Sequence, residues 1–151
     1  MEILIKRADE SDFEIAFQLT KELMAYHNAL DIFVLTPKRL KELIVNGEIY
    51  SYIVYADKEA IGLMNCFWKL TTFTGRKILY IEDLYTKEQY RGSGIGKKLI
   101  EKAKSIALEN DCEQIELKCI NWNKNSAGFY ESIGMKSETE WITYTMDKSL
   151  F

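Results

Sequence analysis

The first seven residues, Met1 to Arg7, alternate apolar and polar side chains, the two-residue period of an edge strand. From Ile15 the period lengthens. Ile15, Leu19, Leu23 and Tyr26 recur at helical spacing, behind an Asp9 or Ser11 able to cap and a Ser11-x-x-Glu14 pair resembling a capping box. Thr36-Pro37 opens a second helix with a hydroxyl cap and a proline at the first helical position. Leu40, Leu43 and Ile44 form its apolar stripe and Asn46-Gly47 ends it. Tyr50 to Ala56 is rich in aromatic and β-branched residues. Asp57-Lys58-Glu59 reads as a hairpin turn, Ala60 to Trp68 as the returning strand, and Ile78 to Tyr85, after the Thr74-Gly75 turn, as a third.

The pattern changes after Tyr85. Arg91 to Gly96 is a glycine-rich turn. Ile95, Leu99, Ala103, Ile106 and Ala107 make a helical stripe that stops near Asn110-Asp111. Ile115, Leu117 and Cys119 alternate with Gln114, Glu116 and Lys118, a strand expected to run parallel to Ile78–Tyr85 through a right-handed crossover. Asn123 or Asn125 can cap a short helix to Ile133, Gly134 can end it, and Trp141 to Met146 reads as a closing strand. The order is βααβββαβαβ, an α/β chain with a mixed sheet.

Composition narrows the function. A length of 151 residues with one proline and no linker, repeat or low-complexity stretch predicts a single domain over 1–151. A net charge of −3 argues against nucleic acid as a partner. No apolar run is long enough to span a bilayer and the N-terminus lacks a signal-peptide core, so a cytoplasmic protein without a membrane partner is expected. Cys66, Cys112 and Cys119 are scattered, with no CxxC pair, and read as reduced thiols. His27 is the only histidine, which argues against histidine-rich metal sites and histidine-based triads; no metal is expected.

The segment Gln89-Tyr90-Arg91-Gly92-Ser93-Gly94-Ile95-Gly96-Lys97-Lys98 carries the strongest chemical signal. Small residues at the start of a helix let backbone N–H groups approach an anion, with the positive end of the helix dipole behind them. A Walker A loop would need glycine at Arg91 and Ser or Thr at Lys98. A dinucleotide fingerprint would need glycine at Lys97. The pattern Arg/Gln-x-x-Gly-x-Gly/Ala is met by Arg91, Gly94 and Gly96.

Three stretches then resemble the GNAT N-acetyltransferases, and within them the diamine/polyamine (spermidine/spermine-type) and thialysine branch. They are Leu79-Tyr80-Ile81-Glu82-Asp83-Leu84; Tyr90 to Gly96; and Trp122-Asn123 followed by Phe129-Tyr130-Glu131 and Gly134. The resemblance implies a GNAT-like acyl-CoA N-acyltransferase fold, its central sheet splayed between the fourth and fifth strands, here Ile78–Tyr85 and Glu113–Ile120. It implies acetyl-CoA as co-substrate. The matching cofactor positions are Leu84, Tyr85 and Thr86, then Arg91, Gly92, Ser93, Gly94, Ile95, Gly96 and Lys97, then Asn123 and Ser126. A homodimer is common in the branch.

Acetyl transfer needs a neutral amine, donors for the carbonyl oxygen as it gains charge, and a proton for the departing thiolate. Tyr130 matches the family's acid; an unperturbed tyrosine, with a pKa of about 10, keeps its proton at neutral pH. Glu82 matches the group that accepts the amine proton, and Asp83 one that holds a cationic acceptor. Neighbours on a strand face opposite ways unless a bulge intervenes, so their orientation stays open. Tyr26, His27, Glu140 and Trp141 match the acceptor side. His27 stands where the polyamine branch usually carries an acid, which weakens attraction for a multiply charged amine. No histidine pairs with Cys119, so direct transfer in a ternary complex to a small primary amine is expected rather than an acyl-cysteine. A protein N-terminus or lysine as acceptor, or a non-catalytic acetyl-CoA sensor, are the alternatives.

Overall fold

The computed structural model describes residues 1–151, which form two compact units, Met1–Lys118 and Cys119–Phe151. The first contains β1 (Ile3–Arg7), α1 (Phe13–Tyr26), α2 (Pro37–Val45), β2 (Tyr50–Ala56), β3 (Glu59–Leu70), β4 (Lys77–Thr86), α3 (Ile95–Glu109) and β5 (Gln114–Leu117). One five-stranded sheet runs in the order β1-β2-β3-β4-β5. The first three pairings are antiparallel; β4 and β5, joined through α3, are parallel. This is the mixed sheet that the order of patterns predicts.

Period-two alternation assigns the two faces. Ile53, Leu63 and Tyr85 turn to one side and pack with Ala16, Leu19 and Leu23 of α1 and Leu40 of α2. Tyr52 and Val54 turn to the other side, under α3: Lys102 lies over the Tyr52 ring, and Ile95 and Val54 both approach Gly62. Leu19, Leu40, Ile53, Leu63 and Leu99 are fully buried, each contributing about 2 kcal/mol by removal from water. A Cβ at Gly62 would stand 2.9 Å from the Tyr85 carbonyl oxygen, so glycine there lets β3 and β4 approach.

Helix starts follow the sequence in α2, where the Thr36 hydroxyl accepts from the Arg39 N–H and Pro37 occupies the first turn. They depart from it in α1. The helix begins behind Asp12 without a side-chain cap, and the Ser11–Glu14 box does not form. Ser11 instead donates both its N–H and its hydroxyl to Asp9. Asp12 accepts from the Asp9 N–H and from Lys6, a local turn that outcompetes the cap.

In the second unit, α4 (Lys124–Ser132) is capped by Asn123, whose Oδ1 accepts from the Ser126 N–H at 3.1 Å. A short 3-10 turn covers Lys148–Leu150. The expected closing strand from Trp141 to Met146 does not form, and Trp141, Ile142 and Tyr144 are 72%, 75% and 89% exposed. Alternating Ile142, Tyr144 and Met146 with threonines supplies β-propensity. A strand also needs a ladder partner, and residues 119–151 contain no other strand. The expected strand Glu113–Ile120 is likewise shorter, ending at Leu117.

Candidate active site

The ladder between β3 and β4 carries one extra residue. Asn65 faces Asp83, the next residue Cys66 faces Ile81, and Glu82 is left without a partner on β3. A bulge of this kind resets side-chain parity. Tyr80 shares a face with Phe67, their rings 5.0 Å apart, and Asp83 shares that same face with Asn65. Simple alternation would have sent Tyr80 and Asp83 to opposite faces. The extra residue therefore turns Glu82 and Asp83, neighbours in sequence, to the α1 side together. Glu82 is exposed; Asp83 is buried.

Asp83 has no cationic neighbour. The Asn65 Nδ2 donates to its Oδ2 at 2.9 Å, and burial pushes the carboxyl up to about 6, against the lowering effect of that bond and with Glu82 adding repulsion. Two residues further along the strand, the Tyr85 hydroxyl donates to Glu22 of α1 at 3.2 Å. Desolvation and Glu22 both raise the Tyr85 hydroxyl above its ordinary value. Tyr26, at the end of α1, lies under the Arg91 guanidinium, 4.4 Å from ring centroid to Cζ. His27 caps α1, its imidazole pKa lowered by partial burial. Asp83, Tyr85, Tyr26 and Arg91 thus gather at one end of β4.

The parallel β4–β5 ladder runs from Ile78–Gln114 to Ile81–Leu117 and stops. Residues Glu82 to Thr86 continue β4 without a β5 partner, so the N–H and C=O groups on that edge are not engaged by β5. Beyond Thr86 the chain makes a 3-10 turn at Glu88–Tyr90, and the Arg91 Nε donates back to the Thr86 carbonyl at 3.0 Å. The Ser93 hydroxyl bonds the Tyr90 carbonyl. Gly92 and Gly94 sit at φ of 76° and 84°, a conformation that only glycine adopts without strain. The first backbone bond of α3 runs from the Lys98 N–H to the Gly94 carbonyl. The N–H groups of Ile95, Gly96 and Lys97 precede it at the positive end of the helix. The Ile95 side chain is buried, so only its backbone is available to a ligand.

A groove of about 680 Å³ runs between β1 and α3 past Ile3, Gly94, Lys97 and Lys102. It does not include Glu82 or Asp83, so volume alone does not locate the chemistry.

In the second unit, Tyr130 lies on α4, half-buried, its hydroxyl pushed up to about 12 by desolvation, with Cys119 adding a smaller effect. Asn123 is buried and engaged as the α4 cap with Ser126. Glu140 and Trp141 are exposed. Sequence reasoning missed Thr20, Ser51 and Asn65, buried polar residues that hydrogen bonds link to Asp83 through Asn65. Single polar residues inside otherwise apolar patterns carry no motif. Glu22, on the polar side of the α1 pattern, carries no motif either. No cluster of three or more His, Cys, Asp or Glu side chains is arranged to hold a metal. No helix is long and apolar enough to cross a membrane.

Comparison with known proteins agrees with this architecture. The family model described as Acetyltransferase (GNAT) family matches residues 15–135. Thialysine N-epsilon-acetyltransferase of Bos taurus is 30% identical over 148 residues, covering 91% of this chain and 86% of the relative. Spermidine/spermine N(1)-acetyltransferase-like protein 1 of Homo sapiens is 28% identical over 156 residues, covering 95% of this chain and 22% of that longer protein. Among solved structures, an aminoglycoside acetyltransferase, meta-AAC0020, from a soil metagenome superposes with a TM-score of 0.82 at 19% identity, covering 96% of this chain and 97% of its own. At that identity the likeness speaks to fold alone.

Proposed function

This chain belongs to the GNAT acetyltransferase family, and from that premise we propose that it transfers an acetyl group from acetyl-CoA to a primary amine of a small cationic molecule, a diamine or an amino-acid-like amine. The observation that carries the reading is the bulge that brings Glu82 and Asp83 to one face beside the unpaired end of β4. Relatives named for thialysine and for spermidine/spermine support the acceptor class.

The residues present fit the co-substrate. N–H groups of Ile95, Gly96 and Lys97, with Gly92 and Gly94 in left-handed conformation and Arg91 beside them, suit its phosphates. The open edge of Leu84 to Thr86 suits an amide-bearing arm that pairs as a strand would. Asn123 and Ser126 are further candidate contacts. Bound there, acetyl-CoA supplies the acyl thioester.

The chain's own groups divide the remaining work. Asp83 holds cationic charge on the acceptor, and Tyr26, His27, Glu140 and Trp141 are candidate walls of its pocket. Glu82 takes the proton that an ammonium must lose before it can attack, directly or through a water. Edge N–H groups of β4 steady the oxygen as it gains charge. Tyr130 gives a proton to the leaving sulfur. Its raised pKa keeps that proton in place across the working range. The GNAT match covers residues 15–135, reaching from the first compact unit into the second, which supports one functional domain.

The test is CoA release with acetyl-CoA and a panel of amines: putrescine, spermidine, thialysine, lysine, an aminoglycoside and a peptide amine. The reading requires turnover of at least one small amine, lost in Tyr130→Phe while acetyl-CoA still binds. Turnover of the peptide amine alone would transfer the function to a protein acceptor. Acetyl-CoA binding with no turnover would make the chain a sensor.

A further inference from the structure

Four polar side chains interrupt the apolar α1 face of the sheet. Ser51 on β2, Asn65 on β3 and Asp83 on β4 lie on one cross-strand row, and Thr20 of α1 covers them. Ser51 and Asn65 are each 1% exposed, Thr20 is 3% and Asp83 is 7%. The Ser51 hydroxyl donates to Asn65 Oδ1 at 2.6 Å. Asn65 Nδ2 donates at 2.9 Å to both Thr20 Oγ1 and Asp83 Oδ2. The Thr20 hydroxyl spends its own proton on the Ala16 carbonyl at 2.8 Å.

These bonds fix the orientation of the carboxamide. Turned over, it would point its oxygen at a carboxylate and at a hydroxyl whose proton is already engaged. Both amide protons are used, so Asn65 holds one oxygen of Asp83 and no more. No buried side-chain oxygen or nitrogen in the protein lacks a partner. Asp83 Oδ1 accepts no bond from the protein, so it is the oxygen that meets solvent.

We propose that Asn65 is a positioning residue for the acceptor: clamped by Ser51 and Thr20, it fixes Asp83 Oδ2 and leaves Oδ1 presented outward to the acceptor's ammonium. The inference rests on the reading of Asp83 as a contact for a cationic amine. A carboxylate with no Lys or Arg beside it and one amide donor is a poor way to stabilise a core. It is suited to a cation that arrives from outside. The same clamp spans the rung next to Glu82, so it also pins the bulge that sets both carboxylates on one face. Asp83 is faced by Glu82 on its own strand, Asn65 on β3 and Thr20 on α1. Glu82 is the one charged group among them.

The test compares Asn65→Leu, Asp83→Asn and the double variant Ser51→Ala with Thr20→Val. It measures kcat and KM for the accepted amine, acetyl-CoA affinity by calorimetry, and the pH profile of kcat/KM. Asn65→Leu is expected to raise the amine KM about tenfold or more, the worth of one charge-assisted bond. Acetyl-CoA affinity should hold and the acid limb should move to higher pH. Ser51→Ala with Thr20→Val should move KM and the acid limb the same way by a smaller factor, and it decides the matter if Asn65→Leu does not fold. An unchanged KM and acid limb in a folded variant would overturn the proposal, as would equal losses in kcat and in acetyl-CoA binding. Asp83→Asn separates the two levels. If it leaves the amine KM unchanged, the reading of Asp83 itself fails. If it raises KM while the clamp variants do not, only the role of Asn65 fails.

Discussion

Asn65 Nδ2 stands 2.9 Å from Asp83 Oδ2, across the last regular rung before β4 takes in the extra residue Glu82. A single amide donor is thus set against the desolvation of a carboxylate, and desolvation wins: the Asp83 carboxyl is held near 6 rather than near its ordinary 3.8.

That shift has a sign in stability. Between about pH 4 and pH 6 the folded protein retains a proton at Asp83 that the unfolded chain has lost. Folding stability from this group is therefore complete below the lower value and falls as pH rises through the upper one. The loss is on the order of 3 kcal/mol. Asp83→Asn keeps an acceptor for Asn65 and cannot ionise. Denaturant melts at pH 4 and pH 7 are expected to show a smaller decline in the variant than in the wild type.

Tyr130 carries the proposed acid role with a hydroxyl pushed up to about 12. Tyr130→Phe is expected to lower kcat by about 10² or more, in the range of general acid catalysis. Acetyl-CoA affinity should stay unchanged by calorimetry. In the wild type, activity should not decline through loss of this proton below about pH 10. An earlier alkaline loss that persists in Tyr130→Phe would have to be assigned to another group.

Gly62 packs its Cα side against the Tyr85 carbonyl, where a Cβ would sit at 2.9 Å. Gly62→Ala forces β3 and β4 apart at the end of β4 that extends past its ladder with β5. A cost of about 1–3 kcal/mol is expected from overpacking, read as a fall in denaturation midpoint. Acetyl-CoA should also bind less tightly. Gly75→Ala, where a Cβ meets nothing within 4 Å but φ is 71°, isolates the backbone cost alone.

The cysteines should differ sharply towards a thiol reagent. Cys66 is buried, its thiol pushed up to about 12 by desolvation, while Cys119 is exposed. Titration of the native protein with a disulfide reagent is expected to modify Cys119 quickly and Cys66 only on unfolding. Fast modification of Cys66 would show that β2 and β3 open more readily than their packing implies.

The sequence by itself determined the elements whose signals are local. The Thr36-Pro37 start of α2, the left-handed glycines before α3 and the Asn123 cap each depend on a few adjacent residues. The structure forms all of them. The family was legible for the same reason, since the turn from Arg91 to Gly96 and the run Leu79 to Leu84 are contiguous. Tertiary structure decided what depends on a neighbour in space. The Ser11 cap lost to the Asp9 and Asp12 turn once Lys6 arrived from β1. The alternating residues from Trp141 to Met146 form no strand within residues 119–151, because propensity alone cannot supply a ladder. Glu82 and Asp83 share a face only because β3 is one residue shorter than β4 between two rungs. That difference belongs to the pairing, and neither strand carries it in its own sequence.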